Sequence, residues 1–356
     1  MSPSTDHGAP GQPGAPIDCV LFDLDGVVYR GPEAVPGAVE GIGFLRDHSI
    51  PLSFVTNNAV RTPEAVAERI TAHGISTTAA EVTTSAQVLA ARLAEKYGAG
   101  ALIHLVGAAG LAAALESEGL RITRSLDDDV VAIAQGLDPE IDYATIVTTC
   151  EVVRSGIDWW ASNPDFSMPG PHGEVPGNGA FVEMIARLTG TQPTIVGKPS
   201  PHMLEHAAHR LGAVRPLMIG DRLDTDIEGG NAAGFETALV LTGVHDIHDA
   251  LHAPAGRRPD FVLPSLRALP ELIAATKADI QAATSAAAPS PGPGGVPATT
   301  SCRLVDGELI VDGELILDDA ARTGAHGVEA ALRLAWEAID RGEPVRPGNL
   351  PRRIHD

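Results

Sequence analysis

The chain has 356 residues, 44% hydrophobic and 20% charged, with 25 basic against 46 acidic side chains and a formal net charge of −21. That length favours two or three domains over a single core, and the acidity argues against nucleic acid or an anionic membrane surface as a partner, since both require basic patches. No stretch approaches the roughly 20 apolar residues of a membrane span, and Cys19, Cys150 and Cys302 form neither a CxxC pair nor a zinc spacing, which suits reduced thiols in the cytoplasm.

Residues 1–16, rich in Gly and Pro, read as a disordered tail with no apolar run for a signal peptide. Strand 17–22 leads through a glycine-rich excursion to a helix over 36–48. Strand 51–55 precedes Thr62-Pro63-Glu64, which reads as an N-cap, a proline at the first helical position and an acid in the first turn. That helix stops at Gly74, a C′ glycine. From 86 to 192 a second αβ segment carries strands 102–106, 130–134 and 144–148 and helices near 108–118, 149–161 and 179–189. An irregular loop, 163–178, lies within it; His104, in an apolar strand, reads as a structural histidine.

The first pattern resumes at 193–276 with strands before Lys198 and at 215–219, 237–241 and 260–263, separated by helices. Alternating β and α elements imply a parallel sheet covered on both faces. The fold class is therefore α/β: one core, 17–85 with 193–276, interrupted by an inserted αβ domain at 86–192. Residues 277–299 read as an Ala/Pro/Gly-rich linker. Beyond it VDGELI occurs twice in succession, at 305–310 and 311–316, each Asp-Gly a hairpin signal, followed by a helix over 326–341. This small α+β appendage, 300–346, is too short for an independent core and is expected to dock on the core or on a partner.

Four polar motifs follow directly on apolar runs: Asp23-Leu24-Asp25-Gly26, Thr56-Asn57-Asn58, Gly197-Lys198-Pro199, and Gly220-Asp221 with Asp226 beyond it. Ligands of open α/β sheets bind at the carboxyl ends of the strands, so these groups collect at one edge. Asp23 and Asp25 can divide the labour of nucleophile and general acid/base; a lone DxD is otherwise an acidic turn or a calcium loop. Thr56 and Asn57 offer a hydroxyl and amides to a phosphoryl group, or else an Asx turn. Lys198 supplies a cation. Asp221 can complete an oxygen-rich Mg²⁺ site with Asp23 and the main-chain carbonyl of Asp25, while Asp226 orients Lys198 or nearby waters, with Asp224 a competitor.

The order DxD, Ser/Thr, Lys, GDxxxxD resembles the haloacid dehalogenase (HAD) superfamily. DLDGV, TNN, VGKPSP and GDRLDTD, with the insertion between the second and third motifs, resemble its subfamily IIA, the NagD-like, nitrophenylphosphatase-type group. The resemblance implies a Rossmann-like HAD core, a C2 cap at 86–192 and Mg²⁺ as cofactor. It implies Asp23 as nucleophile and metal ligand, Asp25 as acid/base, Thr56, Asn57, Asn58 and Lys198 as phosphate ligands, and Asp221 as metal ligand. An acid at Asp25 implies phosphatase chemistry within the superfamily.

The expected substrate is a small phosphate ester, first glycerol 3-phosphate; phosphoglycolate, pyridoxal phosphate and sugar phosphates are the alternatives. A non-catalytic phosphometabolite sensor is the alternative from another class. Asn163, Asp165 and Met168 in the cap loop are candidates for substrate choice, Asp165 serving otherwise in an Asx turn. Residues 300–346 resemble the GNAT-like (acetyltransferase-like) extension of actinobacterial glycerol-3-phosphate phosphatases in this subfamily. A homodimer is left open.

Overall fold

A computed structural model of the protein describes residues 16–125, 129–170, 172–285, 301–305, 307–312, 323–348, 350 and 352. They form two compact units. One draws on the segments up to Leu52, His73–Ile75 and from Ala208 onward; the other on Ser53–Ala72 and Ser76–Ala207.

In the first unit the strands Cys19–Phe22, Pro216–Gly220, Glu236–Val240 and Phe261–Leu263 lie side by side, all parallel. The first two are buried along their whole length, which is why they read as unbroken apolar runs. Cys19 is sealed among them, and burial, with a smaller push from Asp18, raises its thiol to about 12; it stays a protonated packing group. Register sets the chemistry: Phe22 faces Ile219 and the Asp23 N–H donates to the Ile219 carbonyl at 2.9 Å. The two strands end level, so the acids that follow them start from one edge.

The carboxy-terminal residues are part of this unit's core. The antiparallel hairpin Ser301–Val305 with Glu308–Asp312 turns at Gly307, whose φ is 77°; the second VDGELI copy runs beyond the described residues. Helix Thr323–Asp340 buries Val328, Ala331, Leu332, Ala335 and Trp336, the spacing of one helical face. They share a core with Ile247, Leu251, Val262, Leu309 and Leu350. Polar contacts fix the register of this packing. Trp336 Nε1 donates to the Ala250 carbonyl at 2.9 Å, the Val262 N–H donates to Glu329 at 2.9 Å, and Arg258 grips Asp340 through two bonds of 2.7 and 2.6 Å. Helix Leu269–Ser285 continues past residue 277, where the sequence reads as linker; 286–300 lie outside the described residues.

In the second unit five parallel strands run in the order Thr194–Ile195, Asp158–Ala161, Val130–Gln135, Leu102–Val106, Arg121–Thr123. Two expectations fail here. Residues 144–148, expected as a strand, belong to helix Tyr143–Arg154. Asp142 caps it by accepting the Thr145 N–H at 2.8 Å, and Thr149, Cys150, Val152 and Val153 supply its buried face; cap and packing outweigh the β-branched run. The strand comes later, at Asp158–Ala161, inside the segment expected to be helical. Likewise the loop 163–178 contains a two-stranded hairpin, Ser167–Gly170 with Gly173–Pro176. Its prolines hid the signal, because Pro is tolerated only where no ladder bond is needed, as in such an edge pair.

His104 is 1% exposed in the strand Leu102–Val106. Burial lowers its pKa, opposed by the Ser125 main chain and helped by Arg124. The folded state therefore binds fewer protons than the unfolded state. The contribution is complete above the unfolded value of about 6.5 and is lost as pH falls from there, with a slope of up to about 1.4 kcal/mol per pH unit. Urea midpoints of this unit should drop between pH 7 and pH 5 and should drop less in His104→Leu; equal slopes in the two proteins would remove the assignment.

Candidate active site

At the strand edge of the first unit, one oxygen each of Asp23, Asp221 and Asp226 lies within 4.8 Å of the others. Asp221 and Asp226 are 1% exposed. Among the described residues no other group of three His, Cys, Asp or Glu converges in this way. Asp226 thus stands with Asp23 and Asp221, where the sequence suggested a role in orienting Lys198 or water. Its competitor Asp224 turns away: Arg222 holds it through bonds of 3.1 and 2.9 Å. Burial raises the Asp224 pKa, but the Arg222 bonds and charge outweigh it and leave the value below the usual carboxylate range.

The local chain explains how three acids come so close. After Asp25 the backbone reverses at Gly26, which takes a φ of 84°. A Cβ at Gly26 would sit 2.4 Å from Asp221 Oδ2, and one at Gly243 only 1.9 Å from it. Neither site admits a side chain. After Gly220 the chain winds through a single π-turn, Leu223–Ile227, a feature frequent at functional sites. The turn carries Asp226 back toward Gly220, and the Arg222 N–H steadies the Asp226 carboxylate at 3.1 Å. The Val244 N–H does the same for Asp221 at 2.7 Å. Three carboxylates at this spacing repel one another unless a cation lies between them. An all-oxygen, all-anionic donor set suits a hard divalent cation. Asp25 is exposed, and the Gly26 N–H bonds to Tyr29 O at 2.8 Å to close the turn that presents it.

The second unit assembles the other two motifs. Thr56, Asn57 and Lys198 are buried, at 5, 9 and 2% exposure. Asn57 is the junction. Its Oδ1 accepts the Lys198 N–H at 2.8 Å, and its Nδ2 donates to the Lys198 carbonyl at 3.0 Å and to Asp165 Oδ1 at 3.1 Å. Asn163 Nδ2 and Ser85 Oγ each donate to the Asn57 carbonyl at 2.7 Å. The Asn57 side chain is thereby occupied in fixing Lys198 and the loop that bears Asp165. Asn58 makes the Asx turn weighed for this motif, its Oδ1 accepting the Val60 N–H at 2.9 Å. In the loop near Asp165 the Asx turn belongs to Asn163, whose Oδ1 accepts the Asp165 N–H at 3.2 Å; the Asp165 carboxylate accepts from Asn57. Lys198 Nζ lies 3.4 Å from the Val55 carbonyl. Met168 is half-buried in the hairpin. Sequence reasoning missed Ser85 and the segment Thr242–His245; the signal for the latter was one more strand end followed by glycine.

Sequence profiles of two HAD families match this chain, a haloacid dehalogenase-like hydrolase over residues 20–121 and a HAD-hydrolase-like family over 195–269. A D-glycerol 3-phosphate phosphatase of Mycobacterium tuberculosis is 39% identical over 252 residues, 71% of this chain and 70% of that protein. The chain belongs to the haloacid dehalogenase-like hydrolase family. It is a hydrolase of the phosphatase type.

The crystal structure of a glycerol phosphate phosphatase from M. tuberculosis, in complex with magnesium, superposes with a TM-score of 0.77 at 34% identity and covers 94% of each chain. A p-nitrophenyl phosphatase from Archaeoglobus fulgidus gives 0.66 at 28% identity, matched over 100% of its own length but 73% of this one. The HAD member from M. tuberculosis therefore shares a portion that the archaeal protein lacks. No helix among the described residues is long and apolar enough to cross a membrane.

Proposed function

We propose that this protein is a Mg²⁺-dependent phosphomonoester phosphatase that releases phosphate from glycerol 3-phosphate through an aspartyl-phosphate on Asp23. The observation that carries the reading is the convergence of Asp23, Asp221 and Asp226 at the ends of adjacent parallel strands. Asp23, Asp221 and Asp226, with the Asp25 carbonyl, would hold Mg²⁺, which neutralises charge on the phosphoryl group when bound.

The chain's own groups do the rest. Asp23 attacks phosphorus in line with the departing alcohol. Asp25, exposed beside it, protonates that alcohol and then takes a proton from the water that opens the acyl-phosphate. Thr56, the main-chain N–H groups of Asn57 and Asn58, and Lys198 bind the phosphoryl oxygens. Burial of Lys198 supports this role, since a cation in low-dielectric surroundings attracts a phosphoryl anion more strongly than one in water. Residues 86–192 act as the cap and 300–346 as a GNAT-like module without acetyl transfer. The proposed setting is the cytoplasm.

The substrate assignment rests on the similarity to the M. tuberculosis enzyme along nearly the whole chain. Phosphate release should be measured across a panel of phosphorylated metabolites with Mg²⁺ and with chelator. Glycerol 3-phosphate should give the highest kcat/KM, and chelation should abolish turnover. A higher value for phosphoglycolate, pyridoxal phosphate or a sugar phosphate would replace the substrate. Binding without hydrolysis of any of them would replace the enzyme by a sensor.

A further inference from the structure

The loop after strand Glu236–Val240, residues 241–246, touches both turns that carry the acids. Thr242 Oγ1 donates to the Gly26 carbonyl at 2.8 Å, beside Asp25. Two residues on, the Val244 N–H donates to Asp221 Oδ2 at 2.7 Å. His245 makes two contacts of different kinds. Its main-chain N–H donates to the Asp221 carbonyl at 3.1 Å. Its ring Nδ1 accepts the N–H of Leu223 at 3.0 Å, and Leu223 is the first residue of the turn that bears Asp226. The donor here is a main-chain amide, so Nδ1 carries no proton and the ring proton resides on Nε2.

The far end of the loop is also held. Asp246 caps helix Ile247–Leu251, accepting from His248 and Asp249 N–H at 2.8 and 3.0 Å. Arg352 donates to Asp246 Oδ2 at 2.8 Å, and the Ile247 N–H donates to the Arg352 carbonyl at 3.2 Å. A loop pinned at both ends is a rigid support. His245 lies within it, half-buried, beside the Asp246 cap.

We propose that His245 is a positioning residue for the carboxylate cluster. Through its ring and its own N–H it fixes the distance between Asp221 and the turn carrying Asp226, and so sets the affinity for the divalent cation. The inference rests on reading Asp23, Asp221 and Asp226 as a metal site. Groups that orient metal ligands from outside typically change metal affinity by about 10- to 100-fold when removed.

The test is Mg²⁺ titration calorimetry on the full-length protein, with the melting temperature of the metal-free form measured alongside. His245→Ala removes the acceptor for the Leu223 N–H and should weaken Mg²⁺ binding about tenfold or more. His245→Asn, whose Oδ1 stands close to the place of Nδ1, should bind Mg²⁺ within about threefold of the wild type, on the strength of a conserved acceptor. His245→Gln places its acceptor near Nε2 instead and should behave like His245→Ala. A general structural role would lower the metal-free melting temperature of all three variants and would not separate Asn from Gln. Mg²⁺ affinity unchanged in His245→Ala, or Asn and Gln equally impaired, overturns the inference. Failure of the wild-type protein to bind Mg²⁺ refutes the metal-site reading itself and takes the inference with it.

Discussion

Asp23→Asn is expected to lower phosphate release from an aryl phosphate by at least about 1,000-fold, because the amide retains the shape of the carboxylate but cannot act as a nucleophile. The same change should not unfold the protein. Asp23 shares a space of 4.8 Å with Asp221 and Asp226, and removing one of three like charges relieves repulsion in the metal-free state. Its melting temperature without Mg²⁺ should therefore equal or exceed that of the wild type. This pairing of lost turnover with retained stability separates a chemical role from a structural one. An Asp23→Asn protein with near wild-type turnover would remove the nucleophile from the scheme.

Deleting residues 301–356 should be as damaging to stability as Asp23→Asn is to turnover. Val328, Leu332, Trp336, Leu309 and Leu350 are buried against Ile247, Leu251 and Val262. Each large side chain is worth roughly 1.5–3 kcal/mol when fully buried, and a domain's net stability is only about 5–15 kcal/mol. The deletion strips those contacts and bares their partners in the phosphatase core. We expect the shortened chain to be recovered largely insoluble, or to melt well below the full-length protein. Single substitution of Trp336 by Ala, which also orphans the Ala250 carbonyl now bonded at 2.9 Å, should cost about 3–5 kcal/mol. A truncated protein that melts like the parent would show the appendage to be a passive tether.

The acids of the site were legible because parallel strands buried on both faces must be apolar throughout. Such strands mark their own ends, and Asp23 and Asp221 follow Phe22 and Gly220 directly. The local pattern fails where tertiary packing decides. Residues 144–148 carry β-branched side chains suited to a strand, yet Asp142 and the face ending in Val153 make them a helix. The work of Asn57 was hidden for another reason. Its partners Asp165 and Lys198 lie 108 and 141 residues away, and no local rule links an amide to residues so distant. Asp226 is an intermediate case: its spacing from Asp221 was visible, but the π-turn that brings it beside Asp23 was not. The appendage was read as small and docked from its length, while the partner face, helix Ile247–Leu251, carries no signature of being covered.

The central claim is that phosphate passes through a covalent bond to Asp23. Enzyme quenched in acid during turnover of an aryl phosphate, then reduced with borohydride, reports this directly, because reduction of an aspartyl-phosphate gives homoserine. Peptide mass spectrometry should find homoserine at position 23 in the quenched enzyme and aspartate there when substrate is omitted. Homoserine at another position, or unmodified Asp23 in enzyme caught at steady state with substrate in excess, would contradict the account.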